Sequence, residues 1–229
     1  GKGMKIAILD TGIVVDHPSF GALSEDKLTE TSLTKAGVNE IWDTLNASKT
    51  TSGNMSYYNS KLPFIFNYFT MSFDVSHAAQ HDHGTHVAGI AAANKTDSNS
   101  VIGVAPDAQL VVMQVFSNKG GAGWDTIMAA LEDCVRLDVD SVNLSLGAAA
   151  GFTTSTDGMN EVLKQFVDTD IEVLIAAGND TNNAYMNLTG LNMSKAGNPD
   201  IGLAGTPSTY EPAISVASVD NDGTDLLYF

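Results

Sequence analysis

The chain has 229 residues, of which 43% are hydrophobic, enough to bury the core of one large domain. Its formal net charge of −16, from 27 acidic and 11 basic side chains, argues against nucleic-acid binding, which depends on clustered Lys and Arg. A single cysteine excludes intrachain disulfides and cysteine-based metal sites, and no apolar run reaches the roughly 20 residues of a membrane span.

Strand-like apolar segments alternate along the chain with helix-like periodic ones, a pattern that predicts an α/β fold with a doubly wound, mostly parallel sheet flanked by helices. The first strand is expected from Met4 to Leu9. Residues 21–80 are polar and irregular with aromatic islands, which we interpret as a long surface excursion that docks through its aromatic side chains. The later elements are expected as a helix at 83–93, a strand at 110–116, a helix capped by Asp125, a strand at 141–146, a helix around 159–167, a strand at 172–177 and a final strand at 213–219. Since a doubly wound domain normally continues past this point, the sheet is expected to be incomplete at the C-terminus.

Asp10 directly follows the first predicted strand and precedes the sharp turn Thr11-Gly12. Functional groups in open parallel sheets gather at the carboxyl ends of the strands, so Asp10 is well placed for catalysis. Two alternatives stay open for it. It could be a turn or capping residue, or half of an aspartic-protease pair, for which only a homodimer could supply the second Asp-Thr-Gly.

A histidine-rich run opens the second predicted helix. Small residues and then an alanine-rich apolar stretch follow His83, which favours a reactive imidazole at the mouth of a buried helix. An imidazole, with a pKa near 6.5, suits general acid–base catalysis near neutrality. The alternative is a metal site through His81, His83 and His86. However, Thr85 replaces the aspartate of binuclear zinc hydrolases and no histidine follows His86, so we assign no metal ligands.

Three further segments are candidates for contacts with a substrate. Asn179 ends the strand that closes with Ala176-Ala177-Gly178, where its amide could donate to an oxyanion, although Gly-Asn pairs are more often turn formers. The segment Ser145-Leu146-Gly147 could offer an unpaired strand edge to an extended peptide. The glycine-rich segment at 120–123 could form a second edge, and it lacks the later residues of a phosphate-binding loop.

Five motifs of this chain, in their order and spacing, resemble those of the subtilisin-like serine proteases. The motifs are Ile8-Leu9-Asp10-Thr11-Gly12, the run from His83 to Gly89, Gly103-Val104-Ala105-Pro106, Asn143-Leu144-Ser145-Leu146-Gly147 and Ala177-Gly178-Asn179. They extend from Asp10 to Asn179, with fold-level similarity to about Val219. Residues 1–229 are therefore predicted to be one domain, the N-terminal portion of a subtilisin-like peptidase domain.

The finer resemblance is to bacterial cell-envelope subtilases such as the streptococcal C5a peptidases and the lactocepins. It is carried by the long excursion and by the stretch from Asn198-Pro199-Asp200 to Gly205-Thr206-Pro207. This resemblance implies an extracellular or cell-surface location, with the signal and propeptide outside this chain.

The resemblance also implies a role for each candidate residue. Asp10 would orient the ring of His83, which would take the proton of a nucleophilic serine and return it to the leaving amine, while Asn179 would donate to the oxyanion. The predicted substrate-binding residues form two edges, Ser145, Leu146 and Gly147 on one side and Gly121 and Gly123 on the other. Ala176 and Gly178 would form the wall of the pocket for the substrate residue before the scissile bond. Trp124 or Met128 would lie near the next apolar pocket. The implied partner is a protein or peptide substrate, and catalysis needs no cofactor.

Two departures from the family pattern modify these expectations. The segment Gly-Thr-Ser-Met-Ala-x-Pro that carries the family's nucleophile is absent, and Ser208 lies too early and follows a proline. We therefore expect the nucleophile beyond Phe229, in the remaining C-terminal part of the protease, and we expect this fragment alone to be inactive. A structural calcium ion is doubtful, because Ser19 replaces one expected carboxylate although Asp97 fills a second position. The alternative function is a catalytically dead module that binds extended peptides.

Overall fold

The structure is a computed structural model that describes residues 1–49, 53–76, 82–96, 101–148, 153–154, 156–179 and 204–218. Within these residues, six strands form one parallel sheet in the order β2-β3-β1-β4-β5-β6. The elements in chain order are β1 (Lys5–Asp10), α1 (Lys35–Ile41), β2 (Phe64–Asn67), α2 (His83–Ala92), β3 (Gln109–Gln114), α3 (Trp124–Arg136), β4 (Ser141–Leu144), α4 (Gly158–Lys164), β5 (Glu172–Ala176) and β6 (Ile214–Val216). In the described part of the chain, no helix is both long and apolar enough to span a bilayer.

Helices cover both faces of the sheet, as the alternating pattern predicts. Ala7 and Leu9 of β1 point into a large core shared with α3 and α4. Ile8, between them, points to the opposite face, where it packs in a smaller core with Ala88 and Ala92 of α2. Successive residues of a strand face opposite sides, so a central strand buried on both faces is apolar throughout. The predicted fold class, a mostly parallel sheet flanked by helices, is confirmed.

Part of the expected surface excursion is in fact a strand of the sheet. All four residues of β2, Phe64–Asn67, are buried, and they pair in parallel with β3. The prediction that this segment is irregular was therefore wrong. The prediction that it docks through its aromatic rings is confirmed. The centroids of the Trp42, Phe66 and Phe73 rings lie 5.5 to 6.2 Å apart inside the large core.

The other element boundaries differ from the predictions by a few residues. The N-cap of α3 is Gly123 rather than Asp125, which lies within the first turn. The predicted strand at 141–146 ends at Leu144, and the helix predicted to reach residue 167 gives way to turns after Lys164. β6 begins one residue later than predicted and ends at Val216, and residue 219 lies outside the described residues.

A buried lysine connects the start of β2 to the loop before β3. The side chain of Lys61 is inaccessible to solvent, and its ammonium group donates to the carbonyls of Pro106 at 2.9 Å and Ala108 at 2.6 Å. Burial lowers the pKa of Lys61 to about 8. The same amine in the unfolded chain retains its proton up to about pH 10.4.

Lys61 should therefore make the stability of this domain depend on pH in the alkaline range. Below pH 8 the folded state carries the full cost of the buried charge. As the pH rises above 8, the unfolded chain binds more protons than the folded one, so stability increases by up to about 1.4 kcal/mol per pH unit. Urea unfolding between pH 7.5 and 10 should show this increase in the wild type relative to Lys61→Met. The exposed-site control Lys119→Met should follow the wild type, and a pH-independent difference between the wild type and Lys61→Met would contradict the assignment.

Candidate active site

The carboxyl end of β1 brings together the two residues with the strongest sequence patterns. The carboxylate of Asp10 is 1% exposed, and it accepts a hydrogen bond from the backbone N–H of Thr11 at 2.7 Å. Nδ1 of His83, 73 residues further along the chain, lies 2.8 Å from Oδ1 and 3.0 Å from Oδ2 of Asp10. An ionised carboxylate can only accept hydrogen bonds, so this contact favours the tautomer with the proton on Nδ1.

Two glycines allow close packing around the turn after β1. Gly12 has φ +95°, and a Cβ atom there would lie 2.2 Å from the carbonyl oxygen of Val75. A Cβ atom on Gly84 would lie 2.2 Å from the carbonyl oxygen of Gly12. A side chain on Gly84 would push the helix away from the turn and from Asp10, and a side chain on Gly12 would push the turn away from Val75 and Gln114.

Two threonines join the same turn to α2, and sequence reasoning assigned a role to neither. Oγ1 of Thr11 accepts from the backbone N–H of Gly84 at 2.9 Å. Oγ1 of Thr85 accepts from the backbone N–H of Val14 at 3.0 Å. Both threonines lie inside the motifs that carry Asp10 and His83, so their positions beside those residues were the available sequence signal.

The imidazole of His83 is open on the side away from Asp10. Its side chain is 53% exposed, and Nε2 lies on the opposite edge of the ring from the Nδ1 atom that faces the carboxylate. An oriented imidazole with one nitrogen accessible can exchange a proton with a group that approaches from solvent. His86 is exposed one turn further along α2, and His81 lies outside the described residues, so the three-histidine metal alternative is not tested.

Asn179 lies at the same edge of the sheet as this pair. It is exposed and follows Gly178, which has φ +103°, after the end of β5. β5 is the second strand from β1, and neighbouring strands lie about 4.8 Å apart, so the ends of β1 and β5 are separated by about 10 Å. Asn179 and the pair of Asp10 and His83 therefore follow or adjoin strand ends that are two positions apart at one edge of the sheet.

The two predicted substrate edges lie on either side of one cavity. Residues 145–147 continue beyond the last ladder residue of β4, while Ala122 pairs with Phe116 across a glycine-rich turn. A cavity of about 280 Å³ opens between them, lined by Phe116, Gly121, Ala122, Trp124, Ile127, Leu146, Gly147 and Ala148. We refer to it as the inner cavity. It brings together three of the predicted substrate-binding residues.

The other four predicted substrate-binding residues lie on neighbouring segments. Oγ of Ser145 accepts from the side-chain amide of Asn143 at 3.0 Å. Ala176 ends β5 opposite Val216, and Gly178 follows it in a left-handed conformation. Gly123 is the N-cap of α3, at the end of the glycine-rich edge. None of these four is among the described residues that line the inner cavity.

A segment after residue 203 fastens the ends of β4 and β5. Ala148 and Thr206 exchange two backbone hydrogen bonds of 2.9 Å, and the N–H of Gly205 donates to the carbonyl of Ala177 at 2.6 Å. Ser208, in the same segment, is 3% exposed, and its hydroxyl donates to the carbonyl of Gly205 at 2.7 Å. In this conformation the hydroxyl of Ser208 is shielded from solvent and hydrogen-bonded to a carbonyl.

The position of the doubtful calcium ion can be compared with the described donors. The carbonyl of Ser19 accepts from the backbone N–H of Asn94 at 2.9 Å, and the carbonyl of Gly21 accepts from the Asn94 side-chain amide at 2.7 Å. Among the described residues, no group of three or more His, Cys, Asp or Glu side chains could hold a metal ion. Calcium also binds backbone and amide oxygens, and Asp97 lies outside the described residues, so the structure neither confirms nor excludes the ion.

Comparison with known proteins agrees with the fold and the motifs. A sequence model of the subtilase family matches residues 1–229, and the chain belongs to this family. It is 34% identical to the PI-type proteinase of Lactococcus lactis subsp. cremoris and 29% identical to the C5a peptidase of Streptococcus pyogenes, over 99% and 97% of its length. The predicted resemblance to this type of subtilase is confirmed. The chain spans 12% and 18% of the length of these two relatives.

A solved structure extends the agreement to the backbone. The S218A mutant of the protease domain of PatA superposes on 96% of this chain and 59% of its own, with a TM-score of 0.59. The two sequences are 16% identical, so the superposition supports the fold alone.

Proposed function

We propose that this chain is the part of a serine endopeptidase that carries the catalytic aspartate, histidine and oxyanion asparagine, and that the whole protein cleaves peptide bonds in protein substrates outside the cell or at its surface. The contact of Nδ1 of His83 with the buried carboxylate of Asp10 carries this proposal, because it orients an imidazole whose side chain is 53% exposed. The relatives named PI-type proteinase and C5a peptidase support the reaction. The location rests on the resemblance to bacterial cell-envelope subtilases.

In this reaction each residue acts at a defined atom. Nε2 of His83 accepts the proton of the serine hydroxyl while the serine oxygen attacks the peptide carbonyl, and Asp10 stabilises the imidazolium that forms. The side-chain amide of Asn179 donates to the resulting oxyanion. His83 then returns the proton to the leaving nitrogen as the C–N bond breaks. Water, deprotonated by the same imidazole, hydrolyses the acyl-enzyme and regenerates the serine.

The two edges of the inner cavity suit an extended peptide. The segments at 121–123 and 145–147 lie on opposite sides of the cavity, and both lie near the carboxyl edge of the sheet. An extended substrate that pairs with exposed strand edges gains main-chain hydrogen bonds, while its side chains enter pockets between them. We propose that the substrate backbone lies between these segments, with Ala176 and Gly178 beside the residue before the scissile bond.

Among the described residues no helix covers the half of the sheet beside α2, and this supports a location of the nucleophile in another part of the protein. In the described part of the chain, α2 packs against β1 and β3. On the same face, β6 presents Ile214 and Val216, which are 45% and 47% exposed. Parallel sheets are normally buried on both faces. We propose that the segment carrying the serine covers this apolar half-face beside α2, which would bring its hydroxyl near His83.

Labelling by a fluorophosphonate probe tests the proposed function. The full-length protein should hydrolyse a quenched fluorescent protein substrate, lose this activity to a sulfonyl fluoride, and carry the probe on a serine outside residues 1–229. Residues 1–229 alone should neither be labelled nor hydrolyse the substrate. Hydrolysis that resists both reagents would contradict the proposal. Peptide binding without labelling or hydrolysis would favour the catalytically dead binding module.

A further inference from the structure

The substrate groove continues past the inner cavity. A second cavity of about 520 Å³, which we call the outer chamber, is lined by Trp124, Met128, Ala148, Asp157, Gly158, Met159, Thr206 and Tyr210. Trp124 and Ala148 line both cavities, so the outer chamber adjoins the inner one. A side chain of a bound peptide that passes the inner cavity would therefore reach the outer chamber.

The walls of the outer chamber are largely apolar. Trp124 is 45% exposed at the boundary of the two cavities, and the Met128 and Met159 side chains belong to or pack against the large core. Methionine side chains adapt to ligands of different shape, and the face of an indole ring attracts cations as well as apolar groups. These walls fit a long, flexible stem better than a short polar side chain.

Asp157 is the one acidic residue among the described residues that line the outer chamber. Its Oδ2 accepts from the hydroxyl of Tyr210 at 2.6 Å, and its Oδ1 accepts from the backbone N–H of Asn160 at 2.8 Å. The hydrogen bond from Tyr210, followed by that from Asn160, lowers the pKa of Asp157 below its ordinary value, so the group is ionised at neutral pH.

The negative charge of Asp157 is not neutralised by its surroundings. Among the described residues, none of the ion pairs with Lys, Arg or His involves Asp157. Asp157 is the N-cap of α4, whose end carries a partial positive charge. Even a long helix contributes only about half an elementary charge there, so this corner of the chamber stays negative.

We propose that the outer chamber selects a lysine or arginine side chain of the peptide substrate. The aliphatic stem lies along Met128 and Trp124, and the cationic end lies beside the carboxylate of Asp157 and the hydroxyl oxygen of Tyr210. Lysine and arginine combine an apolar stem with a charged tip, which matches apolar walls that end in one anion. This selectivity rests on the proposed function, since it assigns a substrate class to the same groove.

Kinetics of the full-length protein with matched peptides test the selectivity. The peptides carry lysine, norleucine or glutamate at one position before the scissile bond, and each such position is scanned in turn. At the position whose side chain enters the outer chamber, kcat/KM should be about fivefold to tenfold higher for the lysine peptide than for the norleucine peptide. It should be lowest for the glutamate peptide. Asp157→Asn should bring the ratio of lysine to norleucine to about 1, because asparagine retains the helix cap and removes the charge.

Two further variants separate charge from stability. Asp157→Ser also retains a capping side chain and should lower the ratio in the same way. Asp168→Asn makes the same change of charge at an exposed residue after the other end of α4, and it should leave the ratio as in the wild type.

The possible failures are distinguishable. Hydrolysis without a lysine preference at any position, or a preference that persists in both Asp157 variants, would overturn the selectivity alone. If the wild type cleaves none of the peptides and is not labelled by the fluorophosphonate, the proposed function fails, and the selectivity fails with it.

Discussion

Replacement of His83 by alanine should lower kcat of the full-length protein for peptide hydrolysis about 10⁶-fold, the loss that removal of the triad histidine causes in subtilisin itself. The reason is local. Nδ1 of His83 lies 2.8 Å from a buried carboxylate, and its half-exposed ring is the group that we propose as the acceptor of the serine proton. Initial rates with a quenched fluorescent peptide, measured over a wide range of enzyme concentration, give the ratio.

His86→Ala is the matched control for this experiment. His86 lies one turn further along α2, its side chain is exposed, and its backbone N–H donates to the carbonyl of Asp82 at 3.1 Å. The variant should retain the wild-type kcat, and thermal unfolding should show that both variants are folded. Full activity in His83→Ala would contradict the assignment of the general base.

The pairing of Asp10 with His83 could be predicted, although not from physical patterns alone. A carboxylate at the end of an apolar strand and a histidine at the start of a helix each had an ordinary structural alternative. The order and spacing of five motifs placed the two residues in one site, and the structure brings the two side chains into contact. Asn179 shares their edge of the sheet because all the strands are parallel and their carboxyl ends lie together.

β2 shows why part of the fold could not be predicted. A half-buried strand has alternating apolar and polar residues, but a strand buried on both faces has no such period. The four residues Phe64–Asn67 are all buried, and their strand conformation depends on pairing with β3, more than 40 positions away in the sequence. Read locally, they resemble the other aromatic islands of a polar segment, so only the docking of the aromatic rings could be anticipated.

The outer chamber was likewise only partly visible in the sequence. Trp124 or Met128 was expected near an apolar pocket, and both line the chamber. The contact between Asp157 and Tyr210 joins residues 53 positions apart, and neither belongs to a recognised motif. Periodicity and motif spacing carry no information about such a pair, because it depends on how the segment that fastens β4 and β5 packs against α4.

A buried carboxylate on α3 holds part of the segment at 21–80 against the domain. Asp133 is inaccessible to solvent, and it accepts from the backbone N–H groups of Asn46 at 2.8 Å and Ala47 at 3.0 Å. It also accepts from the hydroxyl of Tyr68 at 2.8 Å and from the guanidinium group of Arg136 at 2.7 Å. Burial raises the pKa of Tyr68 well above its ordinary value, so its hydroxyl keeps the proton that it donates.

Asp133→Ala should lower the free energy of unfolding of this domain by at least about 3 kcal/mol, because three hydrogen bonds from other parts of the chain lose their buried acceptor. The variant leaves two backbone N–H groups and a tyrosine hydroxyl buried without their acceptor, and each such group costs about 1 to 3 kcal/mol. Urea unfolding followed by tryptophan fluorescence measures the loss. Hydrogen exchange should localise it, with faster exchange at the amides of Asn46 and Ala47.

Asp133→Asn and Glu161→Ala complete this experiment. The asparagine variant retains an acceptor oxygen and the side-chain volume, so its loss should be smaller than that of Asp133→Ala. Glu161 pairs with Lys164 on the exposed face of α4, where both side chains are at least half exposed, so its removal should change stability little. Equal losses in Asp133→Ala and Glu161→Ala, or unchanged exchange at Asn46 and Ala47, would show that the buried carboxylate does not anchor this segment. The segment that contributes β2 would then depend on its aromatic rings and on its pairing with β3 for its attachment.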